Sequence, residues 1–141
     1  MTMSEQTVIE RALQRLTDPR MWYGLSGHQV AGEDVARHVM AAAYLMEREQ
    51  WDPQLYAPSS RHHIRDALDR TRRDGAGDTD TQYVARHIME LLLRLHTGAP
   101  YVDYEVWSEH RSRTLPEVLD LLRATAQAAR TTPGRLLPRR K

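Results

Sequence analysis

The chain has 141 residues, no cysteine and a formal net charge of +1. This length suits one domain with a core of its own, and the lack of cysteine excludes disulfides, thiolate zinc sites and cysteine nucleophiles. A charge so close to zero gives no overall attraction to nucleic acid or to a membrane surface. The first residues carry no secretory signal, and the longest apolar run, residues 39–46, is too short to span a bilayer. We therefore expect a cytoplasmic protein without a membrane partner.

Apolar residues recur with the period of an α-helix along most of the chain, and the alternation typical of strands is nearly absent. The pattern predicts an all-α fold in which residues 1–130 form one irregular bundle of about five helices. The predicted helices are about 5–17, 33–50, 61–73 and 81–96, followed by a last helix that begins after Thr114. The fourth helix is apolar nearly all round, so it is expected to be central. Residues 131–141 are predicted to form a flexible basic tail.

The start of the last helix has the clearest local signal. Thr114 is placed to cap the helix, and Glu117, three residues later, completes a capping box. Pro116 falls in the first turn, where its missing N–H costs nothing.

Two segments between the predicted helices are expected to be irregular. Residues 20–32 contain three glycines and are predicted to form a loop, anchored on the core by Met21, Trp22 and Leu25. Residues 101–107 alternate like a strand, but a lone strand would have no partner. A packed turn or 3₁₀ segment is therefore predicted there.

One six-residue sequence occurs twice. Val35-Ala36-Arg37-His38-Val39-Met40 recurs at residues 84–89, with isoleucine in place of the second valine. Each copy opens an apolar helix and places its histidine, His38 or His87, at the edge of the apolar face. The copies diverge after the sixth residue, so similar packing needs explain them better than an ancient duplication. We expect the two helices to share one core.

Two motifs near tryptophans follow a known pattern. The predicted second helix contains three consecutive alanines at residues 41–43 and ends shortly before Trp51. Trp107 is followed by a short polar loop, by Arg-Thr at residues 113–114, and by a helix with Glu-Val at residues 117–118. From about residue 33 to 130 the chain therefore resembles an uncharacterised family of small helical domains, common in actinobacteria and their mobile elements. The resemblance implies a helical fold and assigns no activity.

Seven of the nine tryptophans and tyrosines lie at predicted helix ends and in loops. If these loops gather at one end of the molecule, they would line a cleft with polar tips that suits a small molecule or a peptide. The alternative is that the tryptophans plug the ends of the bundle, where they bury much area. These seven residues are Trp22, Tyr23, Trp51, Tyr56, Tyr101, Tyr104 and Trp107.

The favoured function is a small binding or accessory protein that acts through a protein partner or a small ligand. The residues expected to border the recognition site are Trp51, Tyr104, Trp107 and Glu109. The sequence indicates no cofactor and leaves enzymatic activity undecided. A homodimer is compatible with the apolar back of the fourth helix.

A second hypothesis is binding of nucleic acid or another anion by arginines of the third helix and the tail, which would depend steeply on salt. Its candidate residues are Arg61, Arg65, Arg72, Arg73, Arg139 and Arg140. Aspartates interleave with the helix arginines, and Asp66 and Arg70 have i,i+4 spacing, so this face could instead pair with itself.

A third hypothesis is a small metal-dependent enzyme that uses His38 and His87 as a half-site on facing helices. Carboxylate-bridged centres use Glu-x-x-His, whereas this chain has only the reverse spacing, His87 to Glu90, with Glu90 expected on the polar side. The simpler interpretation is that each ring donates its N–H to a carbonyl or a carboxylate. No serine elbow and no glycine-rich phosphate loop accompanies these residues.

Overall fold

The computed structural model of the chain describes residues 4–50, 64–110 and 112–131. Within these ranges it contains a short 3₁₀ helix, Pro19–Trp22, and six α-helices. The helices are α1 (Glu5–Arg15), α2 (Gly32–Arg48), α3 (Ile64–Arg73), α4 (Thr79–Thr97), α5 (Tyr104–Glu109) and α6 (Leu115–Thr131). Because the described residues form no strand beyond one isolated bridge, the predicted all-α fold is confirmed. None of the described helices is both long and apolar enough to cross a membrane.

Side chains cap the helices where the sequence places capping residues. Ser4 accepts a hydrogen bond from the backbone N–H of Thr7 at the start of α1. At α6, the Thr114 N–H donates to Glu117 Oε1 at 3.0 Å and the Glu117 N–H donates to Thr114 Oγ1 at 3.4 Å. The predicted capping box is therefore confirmed. Gly98 ends α4 with φ +77°, a left-handed conformation that glycine adopts without steric cost.

Helix α4 lies against all five of the other described helices. Its buried side chains point in nearly every direction around its axis, as expected for a helix covered on most sides. Helices α2 and α6 pack along each other, and α1 packs on both α4 and α6. The packing brings α1, α4 and α6 together, although α1 and α6 are far apart in the sequence.

Helix α5 corrects the prediction of a packed turn or 3₁₀ segment at residues 101–107 and raises the number of described helices to six. Asp103 caps it by accepting hydrogen bonds from the N–H groups of Glu105 and Val106. The N–H of Tyr104 donates to Glu90 Oε2 of α4 at 3.1 Å. These carboxylates satisfy the N–H groups that a helix start leaves without partners, which stabilises even a short helix.

For two side chains, the observed burial is the reverse of the prediction. Glu90, expected on the polar side of its helix, is buried, because α5 covers it and its carboxylate binds α5. Leu25, expected to anchor its loop, is 68% exposed. Trp22 anchors that segment instead: it is fully buried and its Nε1 donates to the carbonyl of Leu16 at 2.7 Å.

Several predictions fall on parts of the chain outside the described residues. These are the first turn of the predicted third helix, at residues 61–63, the segment that contains Trp51 and Tyr56, and almost all of the predicted tail. Thr131, assigned to the tail from the sequence, is the last residue of α6.

Candidate functional site

A groove of about 370 Å³ opens between α1, α4 and α6, near the C-terminal end of α4. Its volume falls in the range of small-molecule pockets, about 300–1,000 Å³. One apolar wall comes from each of the three helices. The apolar side chains that line it are Val8, Ile9, Leu92, Leu93, Leu121 and Ala124.

Trp107 and Arg113 also line this groove and contact each other. The guanidinium carbon of Arg113 lies 3.9 Å from the centroid of the Trp107 ring, a cation–π contact. Arg113 Nε also donates to the carbonyl of Trp107 at 2.9 Å, and its Nη1 donates to Glu117 Oε2 at 3.0 Å. The arginine side chain is only 17% exposed. These three contacts fix the indole ring at the groove.

Glu117 joins this part of the groove lining to the start of α6. It accepts hydrogen bonds from the backbone and side chain of Thr114 and from Arg113. Partial burial by itself raises the pKa of Glu117, but the hydrogen bonds from Thr114 and Arg113 outweigh it and hold the pKa below its usual range. The group is therefore a charged carboxylate at neutral pH. The sequence pattern Trp107, Arg113-Thr114, Glu117 thus corresponds to one connected set of contacts at the groove.

The remaining polar lining consists of Glu5, His96, Thr97 and Asp120. The hydroxyl of Thr97 donates to the carbonyl of Leu93 at 2.7 Å, so it is already used within its helix. Glu5 and Asp120 are exposed at the rim, and the Asp120 side chain is 66% exposed. With histidine counted as neutral, three carboxylates and one arginine give the lining a formal charge of −2.

The structure brings one of the four sequence-predicted recognition residues, Trp107, into the groove. Tyr104, the first residue of α5, is buried, and burial raises the pKa of its hydroxyl. Glu109 lies at the end of α5, outside the groove lining. Trp51 lies outside the described residues. Among the described aromatic side chains, only that of Trp107 lines the groove.

Sequence reasoning missed most of the groove residues. Arg113 and Glu117 had a usable signal, since they are four residues apart beside a tryptophan and at a capping box. Leu92, Leu93 and Leu121 had no such signal, because they look like ordinary core positions of their helices.

The described arginines of the anion-binding hypothesis are largely paired with acidic groups. Arg65 donates to Glu105 at 3.2 Å, which ties α3 to α5. Arg72 lies 3.6 Å from Asp69 and donates to the Thr79 hydroxyl. Arg73 is exposed at the end of α3. The remaining candidates, Arg61, Arg139 and Arg140, lie outside the described residues.

Arg70 is also paired with an acidic group, but its partner is not the one that the sequence predicted. Its two terminal nitrogens donate to both carboxylate oxygens of Glu49, at 2.8 and 2.9 Å. This forked contact links α3 to the C-terminal end of the adjacent helix α2, although the sequence spacing pointed to Asp66. Arg65, Arg70 and Arg72 of α3 therefore hold neighbouring elements together.

His38 and His87 have different surroundings. His38 is fully buried, not at the edge of its apolar face, and its Nε2 lies 2.9 Å from the carbonyl oxygen of Leu68. Because a carbonyl only accepts, this nitrogen carries the proton. Burial is the main reason that the pKa of His38 is lowered, and the backbone of Gly77 approaches its ring so closely that a Cβ there would lie 2.6 Å from Nδ1.

The His87 ring is half-buried and makes an edge contact with Tyr83, with ring centroids 4.5 Å apart. Burial is the first cause of the lowered pKa of His87 as well, with contributions from Arg86 and Arg94. The charged groups that act on the two histidines are different residues. Among the described residues no group of three or more histidine or acidic side chains is arranged to hold a metal ion.

A serine, a histidine and an aspartate meet on the loop before α2, but their order does not suit nucleophilic catalysis. Ser26 Oγ lies 2.7 Å from His28 Nδ1 and donates a short hydrogen bond to Asp80. In a catalytic triad the histidine accepts the serine proton and the aspartate binds the other side of the imidazole. Here Asp80 binds the serine hydroxyl and the Ser26 N–H directly, so the cluster fastens the loop to the start of α4.

Comparisons with known proteins give a family and no activity. No curated protein and no solved structure matches the chain significantly. A family model matches residues 30–128, which include α2 to α5 and most of α6 as well as the Trp107–Arg113–Glu117 contacts. The chain therefore belongs to a family of unknown function, DUF6197.

Proposed function

We propose that this protein is a small cytoplasmic binding or accessory protein whose groove between α1, α4 and α6 receives the apolar part of a small ligand. The observation that carries the proposal is the apolar groove of about 370 Å³ whose lining includes Trp107, held in place by Arg113. Apolar pockets with a few fixed polar groups are the usual form of ligand sites. The cysteine-free sequence supports the cytoplasmic location.

The polar groups of the groove favour binding over catalysis. Arg113 and Glu117 bind each other, and Glu117 also accepts two hydrogen bonds from Thr114. Groups held in this way can orient a ligand, but they do not offer an activated nucleophile. The described lining includes no serine, cysteine, lysine or tyrosine side chain, and its threonine hydroxyl, that of Thr97, donates to the carbonyl of Leu93.

Rigid placement of Trp107 also supports the proposal. A large aromatic surface that is already ordered costs little entropy when a ligand contacts it. The backbone contact from Arg113 and its cation–π contact order this ring before any ligand arrives.

The proposal can be tested with the neutral apolar dye N-phenyl-1-naphthylamine, whose fluorescence rises when it leaves water. We expect saturable binding to the unaltered protein. Ala124→Leu places a larger side chain in the groove and should weaken binding about tenfold, which corresponds to about 1.4 kcal/mol. Trp107→Leu should also weaken it, because the aromatic surface of the groove is lost.

Ala41→Leu is the matched control, because Ala41 is partly exposed on α2 and outside the groove. It makes the same substitution in a helix and should leave dye binding unchanged. Circular dichroism and the melting temperature establish that each variant is folded. The proposal is wrong if the dye does not bind the unaltered protein, or if folded Ala124→Leu binds it as tightly as the unaltered protein does.

A further inference from the structure

The groove has apolar walls and an acidic rim. Its lining has a formal charge of −2, whereas the whole chain has a net charge of +1. The negative charge at the groove is therefore local, and it differs in sign from the charge of the chain.

The arginine of the lining does little to offset this charge for an incoming ligand. Arg113 is mostly buried, with its guanidinium on the Trp107 ring and bound to Glu117. Its guanidinium therefore interacts with protein groups and is little exposed to an incoming ligand. The charge most accessible from solvent is that of Glu5 and Asp120.

Asp120 has one cationic neighbour on its own helix. Arg123 Nη1 lies 3.9 Å from Asp120 Oδ1, but Arg123 Nη2 lies closer, at 3.2 Å, to Glu47 Oε2 of α2. Asp120 therefore shares Arg123 with Glu47, and the arginine lies closer to Glu47. Arg123 therefore offsets only part of the negative charge of Asp120, whose side chain is 66% exposed.

Building on the proposed function, we propose that the groove selects small apolar cations, such as aromatic or alkyl amines, over neutral or anionic molecules of the same shape. The apolar walls bind the hydrocarbon part, and the rim carboxylates of Glu5 and Asp120 attract the ammonium group. An anion in the same position would meet like charges. Because these carboxylates are exposed to solvent, the selectivity is expected to be modest and dependent on salt.

Three naphthalene derivatives with the same ring and different charge test this selectivity: 1-naphthylmethylamine, 1-naphthylmethanol and the carboxylate 1-naphthaleneacetate. Binding is measured by isothermal titration calorimetry at pH 8 in low salt. The amine should bind about fivefold more tightly than the alcohol, and the carboxylate more weakly than the alcohol. In 1 M salt, where the Debye length is about 3 Å, the preference should fall below about twofold.

Two substitutions locate the source of the selectivity. Glu5→Gln and Asp120→Asn should each lower the ratio of amine to alcohol affinity about twofold, and the double variant should lower it further. Glu10→Gln is the matched control, because Glu10 is exposed on α1 but outside the groove lining. Affinity for the neutral alcohol should stay nearly constant in all of these variants.

The outcomes separate this inference from the proposed function. If none of the three compounds binds and the neutral dye does not bind, the groove is not a ligand site. If the alcohol binds but the carboxylate binds as tightly as the amine, the groove remains a ligand site and the cation selectivity is wrong. The selectivity is also wrong if the double variant keeps the full preference for the amine.

Discussion

Helices α2 and α4 carry nearly the same six residues, yet their neighbours give these residues different environments. The first, second and fifth residues are buried in both copies. The fourth and sixth differ: His38 is fully buried while Met40 is partly exposed, whereas His87 is half-buried and Met89 is fully buried. The helical period therefore determines which residues face the core in both copies. The neighbouring helices determine whether the residues at either side of that face are also buried.

The neighbours of each helix explain the difference. Helix α3 packs on α2 and presents the Leu68 carbonyl to His38, so the histidine side is closed. Helix α4 lies against all five other described helices, so the side with Met89 is buried as well. The difference can be tested by making the same substitution in both copies.

The largest difference is expected at the sixth residue of each copy. Met89→Ala should lower the free energy of unfolding by about 3 kcal/mol, because it removes fully buried methylene groups and leaves a cavity. Met40→Ala should lower it by less than about 1 kcal/mol, because part of that side chain already contacts water. Urea unfolding followed by circular dichroism measures both. Equal losses would show that the two positions are equally buried in solution.

At the fourth residue the order of the two copies should be reversed. His38→Ala should cost about 2 kcal/mol, since it removes a fully buried ring and its hydrogen bond to the Leu68 carbonyl. His87→Ala should cost less than about 1 kcal/mol, since it loses mainly the edge contact with Tyr83. The same urea experiment serves. A larger loss at His87 than at His38 would contradict the burial pattern.

Acid should destabilise the protein through the same histidines. The pKa of His38 is lowered in the folded state, chiefly by burial, so below about pH 6.5 the unfolded chain binds a proton that the folded chain does not. The contribution of neutral His38 to the free energy of unfolding should be fully present above that pH. It should fall as the pH drops towards the pKa of His38 in the folded protein, by at most about 1.4 kcal/mol per pH unit for one group.

The contribution of His38 can be isolated by comparing pH profiles. Unfolding free energies at pH 7.5, 6 and 5 should converge between the unaltered protein and His38→Gln as the pH falls. His87→Gln should flatten the profile less, because that ring is only half-buried. A profile of His38→Gln parallel to that of the unaltered protein would assign the acid sensitivity to other groups.

Local signals predicted some of these elements well. The capping box of Thr114 and Glu117 depends on residues three positions apart, so the sequence contains all of its partners. The longer helices were also predictable, because each is long enough for helical period to distinguish it from a strand. The burial of Trp22 was also predicted, because apolar side chains in a glycine-containing loop are expected to anchor it, but the same argument was wrong for Leu25.

Features that depend on distant residues could not be predicted in the same way. Helix α5 has six residues, too few for a period, and one of its first N–H groups is satisfied by Glu90 of α4. The groove joins residues as distant in sequence as Val8 and Ala124, and its leucines are indistinguishable from core leucines until the helices are packed. Trp107 was identified because its ring lies outside the apolar stripes, which is a local property.

The smallest difference is expected at the third residue of each copy. Arg37 pairs with Asp34 on an exposed surface, where its loss should cost less than about 0.5 kcal/mol. Arg86 Nε lies 3.5 Å from Glu90 Oε1, and the Glu90 side chain is only 8% exposed. Arg86→Ala should therefore cost about 1 kcal/mol, because it leaves a buried carboxylate with less compensation.

A double-mutant cycle with Glu90→Gln tests the reason for that difference. Glutamine keeps an oxygen that can accept from the Tyr104 N–H but has no charge to compensate. If the arginine matters because of that charge, Arg86→Ala should cost almost nothing in the Glu90→Gln background. An unchanged cost there would assign the effect to packing of the arginine stem, and the two arginines would then differ only in the apolar surface that they cover.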